Sequence, residues 1–300
     1  MRLGKAFIIF ADKIKLIFMQ PSNFHSHCNF CDGRSFPEDF IKFAIKEGFR
    51  AYGFSSHSPL PFETFWNMSA SDMDEYIAEI DRLKNKYKGE IEIYTGLEID
   101  YLDESYNPAI PYFQNLPLDY RIASIHFLPI RLPLKEENMV CIDGSVSEFK
   151  GNVEQYYGGD VRKIVEHYFS SMEKMIEIGG FDIIGHMDKI YMNSKFCDSF
   201  GISEDWFLNH VERILNLIAE HNYIIEINTK NFNRKKETYP NKLFFQEILK
   251  REIPIMVNSD SHYPDLVNDG RNDVLKLLSE IGFRKTRELV GGKWKDLDIE

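Results

Sequence analysis

The sequence predicts an α/β fold in which parallel strands alternate with helices and close into a barrel. Three observations carry this expectation. Short apolar runs recur at residues 50–54, 91–95, 120–124, 181–184, 223–227 and 253–257, with 22–24 a weak first member; runs apolar throughout suit strands buried on both faces. Longer amphipathic segments separate them, the alternation expected of parallel βα units. About seven such units close a barrel, and 300 residues is a common length for one.

The connecting segments read as helices for local reasons. Residues 37–47 begin with Pro37 and end at Gly48, and Phe40, Ile41, Ala44 and Ile45 have helical spacing. Residues 69–87 open with Ser and Asp capping residues and carry Met73, Ile77, Ile80 and Leu83 along one stripe. Segments 160–178, 203–220, 241–250 and 272–281 follow the same logic. No repeat, low-complexity tract or linker divides the chain, so a single barrel domain over residues 19–300 is expected. Residues 127–159 show no convincing element. Directly following His126, they are expected to form a long lid or substrate loop.

Composition narrows the function. A net charge of -11 repels a phosphate backbone, so no nucleic-acid partner is expected. The apolar stretch within residues 1–18 is interrupted by Asp12, Lys13 and Lys15, lacks a cleavage site, and is too short and charged to span a bilayer. A second reading takes Met19 as the true start and this leader as an extension; neither predicts export, so a cytoplasmic protein without a membrane partner is expected. Cys28 and Cys31 form a C-x-x-C pair, but Cys141 and Cys197 are too far apart to supply the second pair of a four-thiolate zinc site. Reduced thiols are expected.

Six of the nine histidines follow apolar runs: His25, His27, His57, His126, His186 and His262. His167, His210 and His221 fall within predicted helices. In a βα barrel, strand ends of one polarity converge on one face, where active sites are built. Side chains two apart on a strand point the same way, so His25 and His27 can share an ion, as can Asp260 and His262. Glu98, placed just past its strand, offers two oxygens that can bridge two ions. Imidazole and carboxylate without clear thiolate suit Zn, Fe or Mn better than Mg or Ca. The sequence leaves the choice among them open.

The strings Phe24–Gly33 (FHSHCNFCDG), Phe54–Pro61 (FSSHSPLP), Gly96–Asp100 (GLEID), Ser124–His126 (SIH), Gly185–Asp188 (GHMD), Asn228–Pro240 (NT…RKKETYP) and Asn258–His262 (NSDSH) together resemble the polymerase-and-histidinol-phosphatase (PHP) family. The resemblance runs in order from Asn23 to Phe283 and is nearest its monofunctional histidinol-phosphatase branch. It implies a distorted, TIM-like (β/α)7 barrel and a site for two to three divalent transition metal ions (Zn, Fe or Mn). His25, His27, Glu98 and Asp260 would hold one ion, Glu98, His126 and His186 a second, and His57, His262 and Asp32 a third. Asp32 is the departure: relatives carry a histidine in a C-x-H-like turn where this chain reads Cys31-Asp32-Gly33.

The activity implied is a phosphomonoesterase for a small phosphorylated substrate, L-histidinol phosphate, in histidine biosynthesis. Metals about 3.5–4 Å apart activate water and neutralise phosphate charge. Arg234 is the expected cation on the phosphate, with Lys189 a second candidate, and Asp260 the expected proton donor to the leaving group. The 127–159 segment carries Glu136, Glu137, Asp143 and Glu148, suited to a cationic amine, with Asp143 favoured. Other readings are a PHP phosphoesterase for nucleotides or DNA ends and a metal-binding module without catalysis. A complete ligand set argues against the latter.

Overall fold

In the computed structural model, which describes residues 21–299, the strands fall in chain order as β1 (Ser22–Asn23), β2 (Ala51–Phe54), β3 (Glu92–Asp100), β4 (Tyr120–Ser124), β5 (Phe127–Pro129), β6 (Met139–Cys141), β7 (Ile183–Ile184), β8 (Ile224–Asn228), β9 (Ile255–Asn258), β10 (Lys285–Val290) and β11 (Lys293–Asp298). Seven of them form one parallel sheet in the order β1-β2-β3-β4-β7-β8-β9, and they coincide with the seven apolar runs. The seam between β1 and β9 is closed by side-chain amides. Phe24 N–H donates to Asn258 Oδ1 at 2.8 Å and Ser259 N–H to Asn23 Oδ1 at 2.8 Å. Beyond them the His27 N–H donates to Ser261 O at 2.8 Å. The result is the expected distorted barrel of seven parallel strands, and its least regular stretch is where His25, His27 and Asp260 are carried.

The barrel is filled by Phe24, Ala51, Tyr94, Tyr120, Ile122, Ile183, Ile224 and Met256. Tyr120 ties two segments from within, its hydroxyl within hydrogen-bond reach of Phe24 O at 2.6 Å and Phe54 O at 3.0 Å. The end opposite the histidines is plugged by the β10–β11 hairpin, whose Leu289 joins this cluster with Trp294 against it. Buried Arg50 pins the plug through Leu289 O at 3.0 Å and Glu288 Oε2 at 2.7 Å. The hairpin escaped the sequence reading although Gly291 and Gly292, at φ 59° and 72°, are the two-residue turn that hairpins favour.

The helices form where amphipathic segments predict them: Pro37–Lys46, Met73–Lys86 after a 3₁₀ turn, Val161–Ile178 capped by Asp160, Asp205–His221, Phe245–Lys250 and Arg271–Ile281. Residues 127–159 are not a structureless loop. β5 and β6 pair antiparallel, Phe127 opposite Cys141, and a helix spans Val146–Tyr157. A reciprocal box starts it: Glu148 N–H donates to Ser145 Oγ, and Ser145 N–H to Glu148 Oε2 at 2.8 Å. Gly158, at φ 65°, stops it. Three-residue strands and a helix burying only Phe149 and Val153 leave little periodicity to read. Residues 1–18 lie outside the described residues. Among the described residues no helix is long and apolar enough to cross a membrane.

Candidate metal centre

The nine residues singled out as ligands come together at one end of the barrel. His25 and His27 follow β1 on extended chain that bridges Ser26 to Ser261. His57 bridges Glu98, His126 follows β4, His186 follows β7, and Asp260 and His262 follow β9. Glu98 lies inside β3 rather than beyond it, because pairing with β4 continues through Asp100 and Ser124. His186 and Asp260 have φ of 40° and 48°. Non-glycine residues held there cost about 1–3 kcal/mol each, strain that concentrates at functional sites. Gly185 precedes His186 because a Cβ would sit 2.2 Å from Ser124 Oγ.

Glu98 divides the imidazoles into two sets. Its Oε2 lies 2.9 Å from His57 Nδ1, 3.3 Å from His25 Nε2 and 3.6 Å from His27 Nε2. Its Oε1 lies 2.9 Å from His186 Nε2 and 3.6 Å from His126 Nε2, and accepts from Ser124 Oγ at 2.7 Å. Asp260 Oδ1 is 3.2 Å from His27 Nε2 and 3.5 Å from His262 Nδ1. Asp32 Oδ2 is 3.2 Å from His262 Nε2, and its Oδ1 is 3.9 Å from both His27 and His57. The atoms able to ligate together, within 4.8 Å of one another, group as His27, Asp32, His57 and His262; as His25, His27 and Asp260; and as His57, Glu98 and His126. The sets expected from the resemblance overlap these in part: His27 also reaches the Asp32 set, Glu98 falls outside the His25 set, and His57 rather than His186 joins Glu98 and His126.

The donor chemistry fits cations. His25 Nε2, His27 Nε2, Asp32 Oδ1, His57 Nδ1 and Glu98 Oε2 are buried without hydrogen-bond partners. Converging unsatisfied polar atoms are costly unless something binds them. Burial alone would raise the Glu98 carboxyl, but His25, His57 and His126 hold it well below the usual range. Burial likewise opposes ionisation of Asp260, and Lys230 and His25 overcome it, holding it well below normal. Held ionised in this way, Asp260 could act as the expected proton donor only after first taking up a proton. Burial, then His262 and His57, push His27 well below normal and toward the neutral, ligating form.

Two carboxylates missed in the sequence orient these imidazoles. Glu226 Oε1 lies 2.6 Å from His25 Nδ1 and is braced by Asn258 at 3.0 Å. Asp100 Oδ1 accepts the His126 backbone N–H at 2.9 Å and lies 2.9 Å from His126 Nδ1. A carboxylate on Nδ1 fixes the proton there and leaves Nε2 free toward the cluster. The signals were present: Glu226 interrupts an apolar strand, and Asp100 shares a strand face with Glu98. Glu226→Gln is expected to weaken metal binding about 10–100-fold with the fold retained, measured by competition with a chelator.

A cleft of about 700 Å³ opens over the cluster, lined by Trp66, Phe127, Glu136, Asp143, Lys189 and Lys230 among others. Trp66 packs edge-on to His57 at 4.5 Å and stacks on Phe127 at 5.4 Å. Lys189 is buried, its Nζ 3.6 Å from Asp143 Oδ2. Burial would raise the Asp143 carboxyl, but Lys189 and His126 bring it down to about 2. Asp143 is therefore already engaged by a cation of the protein. Arg234 is not brought to the cleft. It is exposed on the short helix Phe232–Lys235, whose turn after Asn231 carries it outward. Lys230, unremarked in the sequence, lines the cleft instead.

Fold and site define a class: a parallel βα barrel with a multi-histidine, multi-carboxylate centre at its strand ends. The profile of the family described as PHP domain matches residues 23–230, and the chain belongs to that family. The histidinol-phosphatase of Bacillus subtilis is 27% identical over 266 residues, covering 81% of this chain and 94% of that protein. The solved structure of hisK from Listeria monocytogenes superposes with a TM-score of 0.74 at 23% identity, covering 84% of this chain and 99% of that one. The histidinol phosphate phosphatase of Lactococcus lactis, solved with Zn, L-histidinol and phosphate, superposes with a TM-score of 0.71 at 22% identity, covering 92% and 99%.

Proposed function

We propose that this protein is a metal-dependent phosphomonoesterase that hydrolyses L-histidinol phosphate to L-histidinol and phosphate. The observation that carries the reading is Glu98, whose two oxygens each face a separate set of imidazoles, the arrangement a bridging carboxylate needs. The activities named for the Bacillus subtilis and Lactococcus lactis relatives support the substrate. His25, His27, Glu98 and Asp260 would hold one ion, Glu98, His126 and His186 a second, and Asp32, His57 and His262 a third. Two to three divalent transition ions, Zn, Fe or Mn, suit this donor set, and the Zn of the Lactococcus lactis structure supports zinc. When bound, such ions supply an activated water and neutralise charge on the phosphate.

The chain's own groups do the rest. Glu226 and Asp100 keep the proton on Nδ1 of His25 and His126. Lys189 Nζ, held by Asp143, meets the developing charge on the phosphate oxygens. Trp66 and Phe127 flank the cleft as an aromatic wall for the imidazole of the substrate. Asp143 and Glu136 set an acidic environment for its ammonium group. Such an enzyme acts in the cytoplasm, in histidine biosynthesis, without nucleic-acid or membrane partners.

The test compares kcat/KM for L-histidinol phosphate and glycerol phosphate, with Asp143→Asn beside the native protein. The native enzyme should prefer histidinol phosphate by more than about tenfold, ~1.4 kcal/mol of transition-state discrimination. If Asp143 reads the amine, its variant loses that preference. If it only orients Lys189, both esters suffer equally. A native preference below tenfold contradicts the substrate assignment.

A further inference from the structure

Lys230 has no role in the reading above, yet its position is defined. It lies two residues beyond β8, where Thr229 N–H donates to Asn258 O at 2.8 Å and Lys230 N–H to Asn228 Oδ1 at 3.1 Å. Its backbone is thus pinned at the rim of the barrel. The side chain reaches the cluster, with Nζ 3.1 Å from Asp260 Oδ1 and 3.4 Å from His262 Nε2. It is about one-third exposed, at 35%, and lines the same cleft as Lys189.

The two lysines differ in what holds them. Lys189 is buried with Asp143, a carboxylate outside the cluster. The only carboxylate within 4 Å of Lys230 among the described residues is Asp260, itself placed to ligate a cation. An ion held by Asp260 would compete with the ammonium for the carboxylate and repel it at short range. A lysine is a point charge on a flexible four-carbon stem with three donors, so it can turn from Asp260 to an anion in the cleft. A phosphate monoester dianion arriving there faces Glu98, Asp260 and Asp32, and needs cations on more than one side.

We propose that Lys230 is a phosphate-binding residue whose ammonium takes a non-bridging oxygen of the phosphoryl group, alongside Lys189. This assignment rests on the phosphatase reading and names a group of this chain that serves the same site. Because Lys230 acts on the anion and not on the ions, its loss should weaken phosphate without releasing metal.

The experiment titrates inorganic phosphate calorimetrically into the metal-loaded native protein, Lys230→Gln and Lys230→Arg, with metal equivalents and melting temperature measured on the same samples. In Lys230→Gln the phosphate Kd should rise at least tenfold with metal content and melting temperature unchanged, and KM for the ester should rise more than kcat falls. Lys230→Arg should bring the Kd back to within about threefold of native, since charge is retained. A Kd for Lys230→Gln within threefold of native overturns the assignment. So does loss of metal, which would make Lys230 a structural counter-ion of Asp260. If the native loaded protein binds no phosphate, the phosphatase reading falls with it; if native binds and the variant is indifferent, only this assignment falls.

Discussion

Glu98→Gln is expected to abolish turnover and release most of the bound metal while the barrel stays folded. The side chain is buried and its two oxygens face His25, His27 and His57 on one side and His126 and His186 on the other. An amide of the same shape removes the charge from both sets at once and presents an N–H₂ where a lone pair is needed. Loss of orienting partners alone costs such sites about 10–100-fold in affinity, so loss of the shared ligand should exceed that. Metal equivalents and kcat on the purified variant are the measurement. Full metal content with native turnover would show that Glu98 does not bridge.

Lys189→Met carries the second large effect. Its ammonium is buried beside the cleft, and no mobile cation from solvent can replace it once substrate covers the site. Removing one such fixed charge costs roughly 10²–10³ in kcat, whereas Arg234→Ala, exposed away from the cleft, should leave kcat/KM within about twofold. The variant also carries a pH signature. Lys189 is the leading cause that draws the Asp143 carboxyl from 3.8 to about 2. A depressed carboxyl stabilises the fold above its unfolded value, and that stability is lost as pH falls through the folded one. The stability deficit of Lys189→Met should therefore be complete at pH 7 and shrink below about pH 4. Equal deficits at both pH values would show that Asp143 does not depend on this lysine.

How far the sequence could be read follows from physical scale. All seven barrel strands were legible because burial on both faces leaves apolar runs that turn residues punctuate. The six histidines were legible as a group because barrel topology sends every strand end of one polarity to the same face. What failed depended on contacts between distant segments. Glu226 and Asp100 matter because each meets one imidazole nitrogen, a relation between β8 and β1 or β3 and β4 that no local pattern records. That a basic residue follows β8 was readable. Which of Lys230 and Arg234 turns inward was not, because one helical turn after Asn231 decides it. The ionised state of Asp260 was not readable because it sums Lys230, His25, His27 and His262 from three separate parts of the chain. The Ser145–Glu148 box and the Gly291-Gly292 turn were local and readable, but were passed over where apolar periodicity was weak.

The most direct measurement is an anomalous-diffraction map of the native crystalline protein at the absorption edge of its metal, with phosphate present. Two to three peaks are expected, two of them flanking Glu98 at roughly 3.5–4 Å from each other, with phosphate density reaching them and Lys189. A single peak, or peaks remote from Glu98 with phosphate bound elsewhere, would contradict a bridged metal centre as the seat of phosphate-ester hydrolysis.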